Sequence, residues 1–321
     1  MKSPRNKTID ISLDEGEKYL DRCIKVEDKI GIEDLKNKTI IGDSMEVMDF
    51  LPEKSIDLLI ADPPYNLEKN YHGNRFKPSS EEEYEKYTEG WVKKTIPLLK
   101  DKASIYVCCD WRSSLVIEKV LRKYFVIQNR ITWQREKGRG ARTNWKNSME
   151  DIWFATMSKD YTFNIDDVKM RRQVRAPYKQ AGKPKDWVQT SHGNFRDTFP
   201  SNFWDDISIP YWSMPENTAH PTQKPEKLIA KLILASSNPG DLVFDPFLGS
   251  GTSSVTAKKL NRAYLGIEQN PLYGTWTEKR LEMAESDKKI QGYTDQIFWE
   301  RNSGDLQKKM MRKTGKEDRN R

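Results

Sequence analysis

Residues Ser55 to Ala61 read Ser-Ile-Asp-Leu-Leu-Ile-Ala, an apolar run interrupted once and closed by Asp62. A run this short and this apolar leaves no face for water. It predicts a strand covered on both sides, as in a parallel sheet under two layers of helices. Asp241 to Asp245 is a second such run, and Lys38 to Ile41, followed by Asp43, a third. Helices are predicted over Ser80 to Lys100, where Ser80 and Glu83 form a capping box, and over Arg112 to Lys123, Pro225 to Ser237, Thr252 to Leu260 and Pro271 to Ala284. Strands are predicted over Ala103 to Cys109, Phe125 to Trp133 and Ala263 to Ile267. Strand and helix in alternation predict an α/β fold with a doubly wound, Rossmann-like sheet.

The alternation stops at Gln134. The next eighty residues hold Lys-Gly-Arg-Gly, scattered Trp and Tyr and several prolines, with one clear strand at Asp151 to Met157. The chain therefore divides into an N-terminal arm (1–37, with a capping box at Ser12 and Glu15), a first half-domain (38–133), an insertion (134–215), a second half-domain (216–287) and a basic C-terminal tail (288–321). From Arg301 onward the tail carries eight basic and three acidic residues and reads as disordered.

The net charge of +7 favours a polyanionic partner, and its distribution sharpens the point. Gln134 to Arg196 contains 14 Lys and Arg against 7 Asp and Glu, an excess equal to that of the whole chain. Three cysteines, two of them the neighbours Cys108 and Cys109 in an apolar run, make no disulfide framework or CxxC site, so a reducing cytoplasm is expected. No signal peptide or membrane span is expected, and three widely separated histidines give no zinc site.

Two loops follow the buried strands. Asp62-Pro63-Pro64-Tyr65 leaves the first at its carboxyl end, where doubly wound folds bind ligands. Its carboxylate and a proline-stiffened carbonyl suit the two hydrogens of an amino group, and Tyr65 suits stacking on a flat ring. A strand-ending Asp before a proline turn explains the tetrapeptide equally well. Asp245-Pro246-Phe247-Leu248-Gly249-Ser250-Gly251-Thr252 leaves the other strand, with glycines that let a ligand approach the backbone. It is not a P-loop, because no Lys-Ser or Lys-Thr follows Gly251. Glu268 ends the next strand, where a carboxylate can hold ribose hydroxyls.

Together with His220-Pro221-Thr222-Gln223-Lys224-Pro225, these loops resemble the motifs of the beta group of DNA amino-methyltransferases, over about residues 38 to 285. The catalytic half precedes the cofactor half, as in that group. The resemblance implies a Rossmann-like methyltransferase sheet, S-adenosylmethionine as donor, double-stranded DNA as substrate and a target-recognition region in the insertion. It makes Asp62, Pro63, Pro64 and Tyr65 catalytic. It assigns the cofactor to Phe247, Gly249, Ser250, Gly251, Thr252, Glu268, Asp43 and Lys224, with Asp62 also near the donor's amino group. The implied chemistry is direct in-line transfer to a base rotated out of the duplex, without a covalent enzyme intermediate. Asp at the head of the tetrapeptide is usual in the family for adenine N6, and Ser for cytosine N4, so adenine leads and cytosine N4 is the alternative. A DNA-binding module that has lost turnover is the more distant one. Cytosine-C5 chemistry needs a nucleophilic cysteine, and Cys108 and Cys109 read as core.

The basic stretch Arg135, Lys137, Arg139, Arg142 and Lys146, with Trp133 and Trp145 interleaved, is the expected DNA contact, and Arg171, Arg172 and Arg175 are further candidates. A cognate restriction endonuclease and a homodimer are the remaining expected partners.

Overall fold

The computed structural model describes residues 3–67, 69–71, 74–76, 78–135, 142–174, 179–190, 193–301 and 303. In chain order the principal strands are β1 (Lys38–Ile41), β2 (Ile56–Ala61), β3 (Leu99–Cys109), β4 (Val126–Gln134), β5 (Met149–Thr156), β6 (Met170–Gln173) and β7 (Val188–Thr190). They continue as β8 (Gly193–Thr198), β9 (Phe203–Trp204), β10 (Leu242–Asp245), β11 (Ala263–Glu268), β12 (Tyr293–Thr294) and β13 (Ile297–Trp299). The longer helices are α1 (Leu13–Leu20), α2 (Glu81–Thr95), α3 (Ser114–Tyr124), α4 (Glu226–Ser236), α5 (Thr252–Lys259) and α6 (Pro271–Ser286). Both predicted capping boxes are present, at Ser12 and at Ser80.

Eight strands form the central sheet in the order β1-β11-β10-β2-β3-β5-β4-β9. All pairings are parallel except those of β5, which runs against β3 and β4. From β2 the chain winds through α2 to β3 and through α3 to β4; from β10 it winds the other way, through α5 to β11. β2 and β10 are neighbours, so the winding reverses between them and opens a crevice at their carboxyl ends. One face buries Trp91, Val92, Ile117 and Leu121 from α2 and α3; the other buries Leu228, Leu232, Val255 and Leu281 from α4, α5 and α6. The doubly wound expectation holds.

The insertion differs from the sequence reading. Met149–Thr156 and Phe203–Trp204, inside the predicted 134–215 segment, are strands of the central sheet. β5 pairs with β4 as its antiparallel neighbour, and no helix stands among the described residues between them. β6, β7 and β8 of the insertion belong to a second sheet, β7-β8-β6-β13-β12, two strands of which come from the segment read as tail. Phe298 lies opposite Met170, and both pack on Ala230 and Leu234. All eleven residues of α4 are consequently buried, between one sheet and the other. The expectation for Arg301 to Arg321 falls, except for Arg301 and Ser303, outside the described residues. No helix among the described residues is long and apolar enough to cross a membrane.

Candidate active site

The crevice at the β2 and β10 ends is a cleft of about 400 Å³. Every predicted catalytic and cofactor residue except Gly251 lines it: Asp43, Asp62, Pro63, Pro64, Tyr65, Lys224, Phe247, Gly249, Ser250, Thr252 and Glu268.

On the β2 side, Tyr84 of α2 donates to the Pro64 carbonyl at 3.2 Å and braces the loop. The Asn66 amide clasps Ser79 through bonds of 2.9 and 2.7 Å. The Tyr65 hydroxyl donates to Asp62 Oδ1 at 2.9 Å. Lys224 Nζ lies 2.6 Å from Asp62 Oδ2, 3.2 Å from the Tyr65 hydroxyl and 3.3 Å from Glu150 Oε2. Burial opposes the Lys224 charge, yet Asp62 and Glu150 outweigh it and hold the ammonium well above the usual lysine range. Burial, with Asp62 and then Glu150, pushes the Tyr65 phenol well above its ordinary value, so it stays protonated. Cys108, read as core, is buried and also lines the cleft. Burial and the Asp62 charge push its thiol far up, which removes it as a nucleophile.

On the β10 side, Gly249 and Gly251 take left-handed φ values of 58° and 79°. A Cβ on Gly251 would lie 2.5 Å from Thr277 Cγ2, and one on Gly249 would lie 3.1 Å from the His220 ring. The loop is fastened from behind: buried Arg280 donates to the Ser250 carbonyl at 2.6 Å, to Thr252 Oγ1 at 3.1 Å and to Glu226 Oε1 at 3.1 Å. Glu268 accepts from Gly249 N at 2.7 Å and from Asn270 N at 2.8 Å. Asp245 accepts from Phe247 N at 2.9 Å and Ser253 Oγ at 2.6 Å. Burial pushes both carboxyls up to about 7, against these hydrogen bonds. Asp43 caps the short helix Ser44–Val47 through Met45 N at 2.8 Å.

The two sides meet at Lys224. Thr252 Oγ1 donates to its carbonyl at 3.1 Å, so its backbone rests on the glycine loop while its side chain crosses to Asp62. The sequence reading gave it only the cofactor side.

Of the expected DNA contacts, Arg135 is turned inward and paired with Glu150. Arg142 and Lys146 are exposed, and Lys137, Arg139 and Arg175 lie outside the described residues. Arg171 forms a two-pronged pair with Asp197 at 2.7 and 2.6 Å, and Arg172 faces Glu300 at 3.5 Å. Trp133 is core, donating to the Ile207 carbonyl at 3.0 Å, whereas Trp145 is 94% exposed. Sequence reasoning missed Glu150, Asp245 and Arg280. Asp245 could have been found by the strand-end rule that found Asp62; the other two are brought in by the fold.

A doubly wound sheet with an acidic-Pro-Pro-Tyr loop facing a glycine loop across one strand boundary defines a Rossmann-like methyltransferase. The chain belongs to the DNA methylase family, whose family model matches residues 56–314. It is 34% identical over 253 residues to the Type II methyltransferase M.HpaI of Haemophilus parainfluenzae, covering 77% of this chain and 75% of that protein. It is also 34% identical over 250 residues to the DNA adenine methyltransferase YhdJ of Escherichia coli K12, covering 77% of this chain and 83% of that one. Among solved structures, TTHA0409 of Thermus thermophilus, complexed with S-adenosylmethionine, superposes with a TM-score of 0.52 at 19% identity, covering 82% of this chain and 98% of that one.

Proposed function

We propose that this enzyme transfers the methyl group of S-adenosylmethionine to N6 of adenine in double-stranded DNA, at a defined sequence. The observation that carries this reading is the Asp62–Tyr65 loop beside the glycine loop, on adjacent strands of one cleft. The residues present fit the cofactor. Gly249 and Gly251 hold a backbone cradle, and each Glu268 oxygen, although bonded to one N–H, keeps a lone pair for a ribose hydroxyl. Asp43, Phe247, Ser250 and Thr252 line the rest of this side, and Lys224 and Asp62 its junction with the acceptor side. When bound there, S-adenosylmethionine supplies an electrophilic methyl on a sulfonium.

Asp62 and a proline-loop carbonyl accept the two hydrogens of the target amino group, which draws the nitrogen lone pair out of the ring and toward attack. Tyr65 stacks on the extruded base and offsets part of the few kcal/mol lost on unstacking. Asp62 then takes the proton that the methylated nitrogen sheds. Adenine is favoured over cytosine N4 by Asp at position 62 and by the name of the Escherichia coli relative. The order of the motifs supports the beta group, and the name of the Haemophilus relative supports a restriction-modification setting with a cognate endonuclease. The second sheet and the basic stretch from Arg135 to Lys146 form the target-recognition region, with Arg142, Lys146, Lys137 and Arg139 on phosphates and Arg135 at the cleft. A cytoplasmic homodimer completes the reading.

The test is to incubate purified protein with unmethylated genomic DNA and methyl-labelled S-adenosylmethionine, then identify the nucleoside and map the sites. Methyladenine at one short recurring sequence is expected. Methylated cytosine would overturn the choice of base, and unlabelled DNA would overturn the activity.

A further inference from the structure

Both oxygens of Asp62 already hold a donor in this structure. Its Oδ1 accepts from the Tyr65 hydroxyl at 2.9 Å and its Oδ2 from Lys224 at 2.6 Å. On the functional reading above, the target amino group needs this carboxylate, so the entering base competes with Lys224 and Tyr65 for it and weakens the bond to at least one of them. Stripping a buried ammonium from its only counter-ion costs about 3–5 kcal/mol. Lys224 has a second one. Glu150 Oε2 stands 3.3 Å from Lys224 Nζ and 3.5 Å from the Tyr65 hydroxyl, within a small shift of full bonds to both. Its side chain is 4% exposed, and Arg135 fixes its other oxygen. Two carboxylates, Asp62 and Glu150, thus balance two cations, Lys224 and Arg135, whichever carboxylate Lys224 favours.

We propose that Glu150 is a positioning residue for methyl transfer: it receives Lys224 and the Tyr65 hydroxyl when Asp62 turns to the base. Lys224 masks Asp62 in the free enzyme and is handed across without losing a counter-ion. Arg135 keeps Glu150 from following the lysine. The glutamate does not touch the reacting atoms and acts only through Lys224 and Tyr65. The stretch expected to clamp DNA therefore contributes, through Arg135, to the interior of the active site.

The experiment compares wild type, Glu150→Gln, Lys224→Met and the double variant. Single-turnover transfer from labelled S-adenosylmethionine to unmethylated genomic DNA is read beside calorimetric affinity for the cofactor. Glu150→Gln should slow transfer by about tenfold to a hundredfold, the worth of one hydrogen bond to a charged group. Cofactor affinity should stay within about threefold. In the Lys224→Met background the same change should cost little more, because the group it serves is gone. Glu150→Asp keeps the charge and should recover much of the rate. The proposal is overturned by a Gln variant at wild-type rate, by losses that multiply in the double variant, or by an Asp variant as slow as Gln. Should wild type label no DNA while binding cofactor, the functional reading itself fails, and this inference with it.

Discussion

Asp206 is the residue whose loss should be felt furthest from its own position. It follows β9, and its two oxygens hold Lys227 at 2.6 Å and Lys231 at 2.8 Å, all three side chains being at most 8% exposed. Lys227 also donates to the carbonyls of Asp206 and Trp299, and Lys231 stands over the rings of Trp204 at 4.8 Å and Phe298 at 5.5 Å. One carboxylate thus fastens the insertion and the β13 segment to the buried helix α4. Asp206→Asn keeps the shape and removes the charge that opposes two buried ammoniums. Leaving buried charges unpaired costs about 3–5 kcal/mol. At roughly 2–4 °C per kcal/mol for a chain of this size, melting should fall on the order of 10 °C. Urea and thermal unfolding measure the loss, and adding Lys231→Met, which removes one stranded charge, should restore about half of it. A loss below about 1 kcal/mol, or no recovery in the double variant, would refute the reasoning. Cofactor affinity should change less than transfer to DNA, because the glycine loop is fastened independently by Arg280.

Tyr65→Ala should cut transfer at least about a hundredfold through lost stacking and loop order while cofactor affinity, by calorimetry, holds within about threefold; loss of that affinity would undermine the acceptor role of the loop. Gly251→Ala places a Cβ 2.5 Å from Thr277 at a φ of 79°, so strain and overpacking together should cost about 2–4 kcal/mol in urea unfolding and weaken cofactor binding. Asp245 and Glu268, pushed up to about 7 by burial from 3.8 and 4.5, bind protons in the folded enzyme that the unfolded chain has released. The stability of the free enzyme should therefore fall as pH rises from about 4.5 to 7, then level off. Binding the cationic cofactor should release protons near neutrality, seen as calorimetric heats that change with the ionisation enthalpy of the buffer; heats indifferent to the buffer would contradict the raised values.

The sheet and both loops were legible because strand-end acids, glycines and prolines mark them locally. The run before Asp62 read as a doubly covered strand, and Gly249 and Gly251 as a backbone open to close approach. Glu150 was not legible, since it reaches Lys224 and Tyr65 through the reversed direction of β5, which no local pattern announces. The same holds for the insertion's charge. Counted along the chain it looks like a phosphate clamp, but Arg135, Arg171, Arg172 and Arg196 each face a carboxylate within 3.5 Å. Ile297-Phe298-Trp299 was overlooked in a polar tail because three apolar residues are too few to show a period, though opposite Met170 they suffice to complete a sheet.

Val243 pairs with Leu58 and Phe244 with Leu59, so the proline loop and the glycine loop spring from strands held by a backbone ladder. Neighbouring strands are about 4.8 Å apart whatever side chains they carry. The separation of the two loops is thus a ruler cut into the main chain. On the proposed function, side chains in the insertion can drift through generations of altered target preference without lengthening that ruler, which leaves recognition free to diversify while the reach of the transferred group stays fixed.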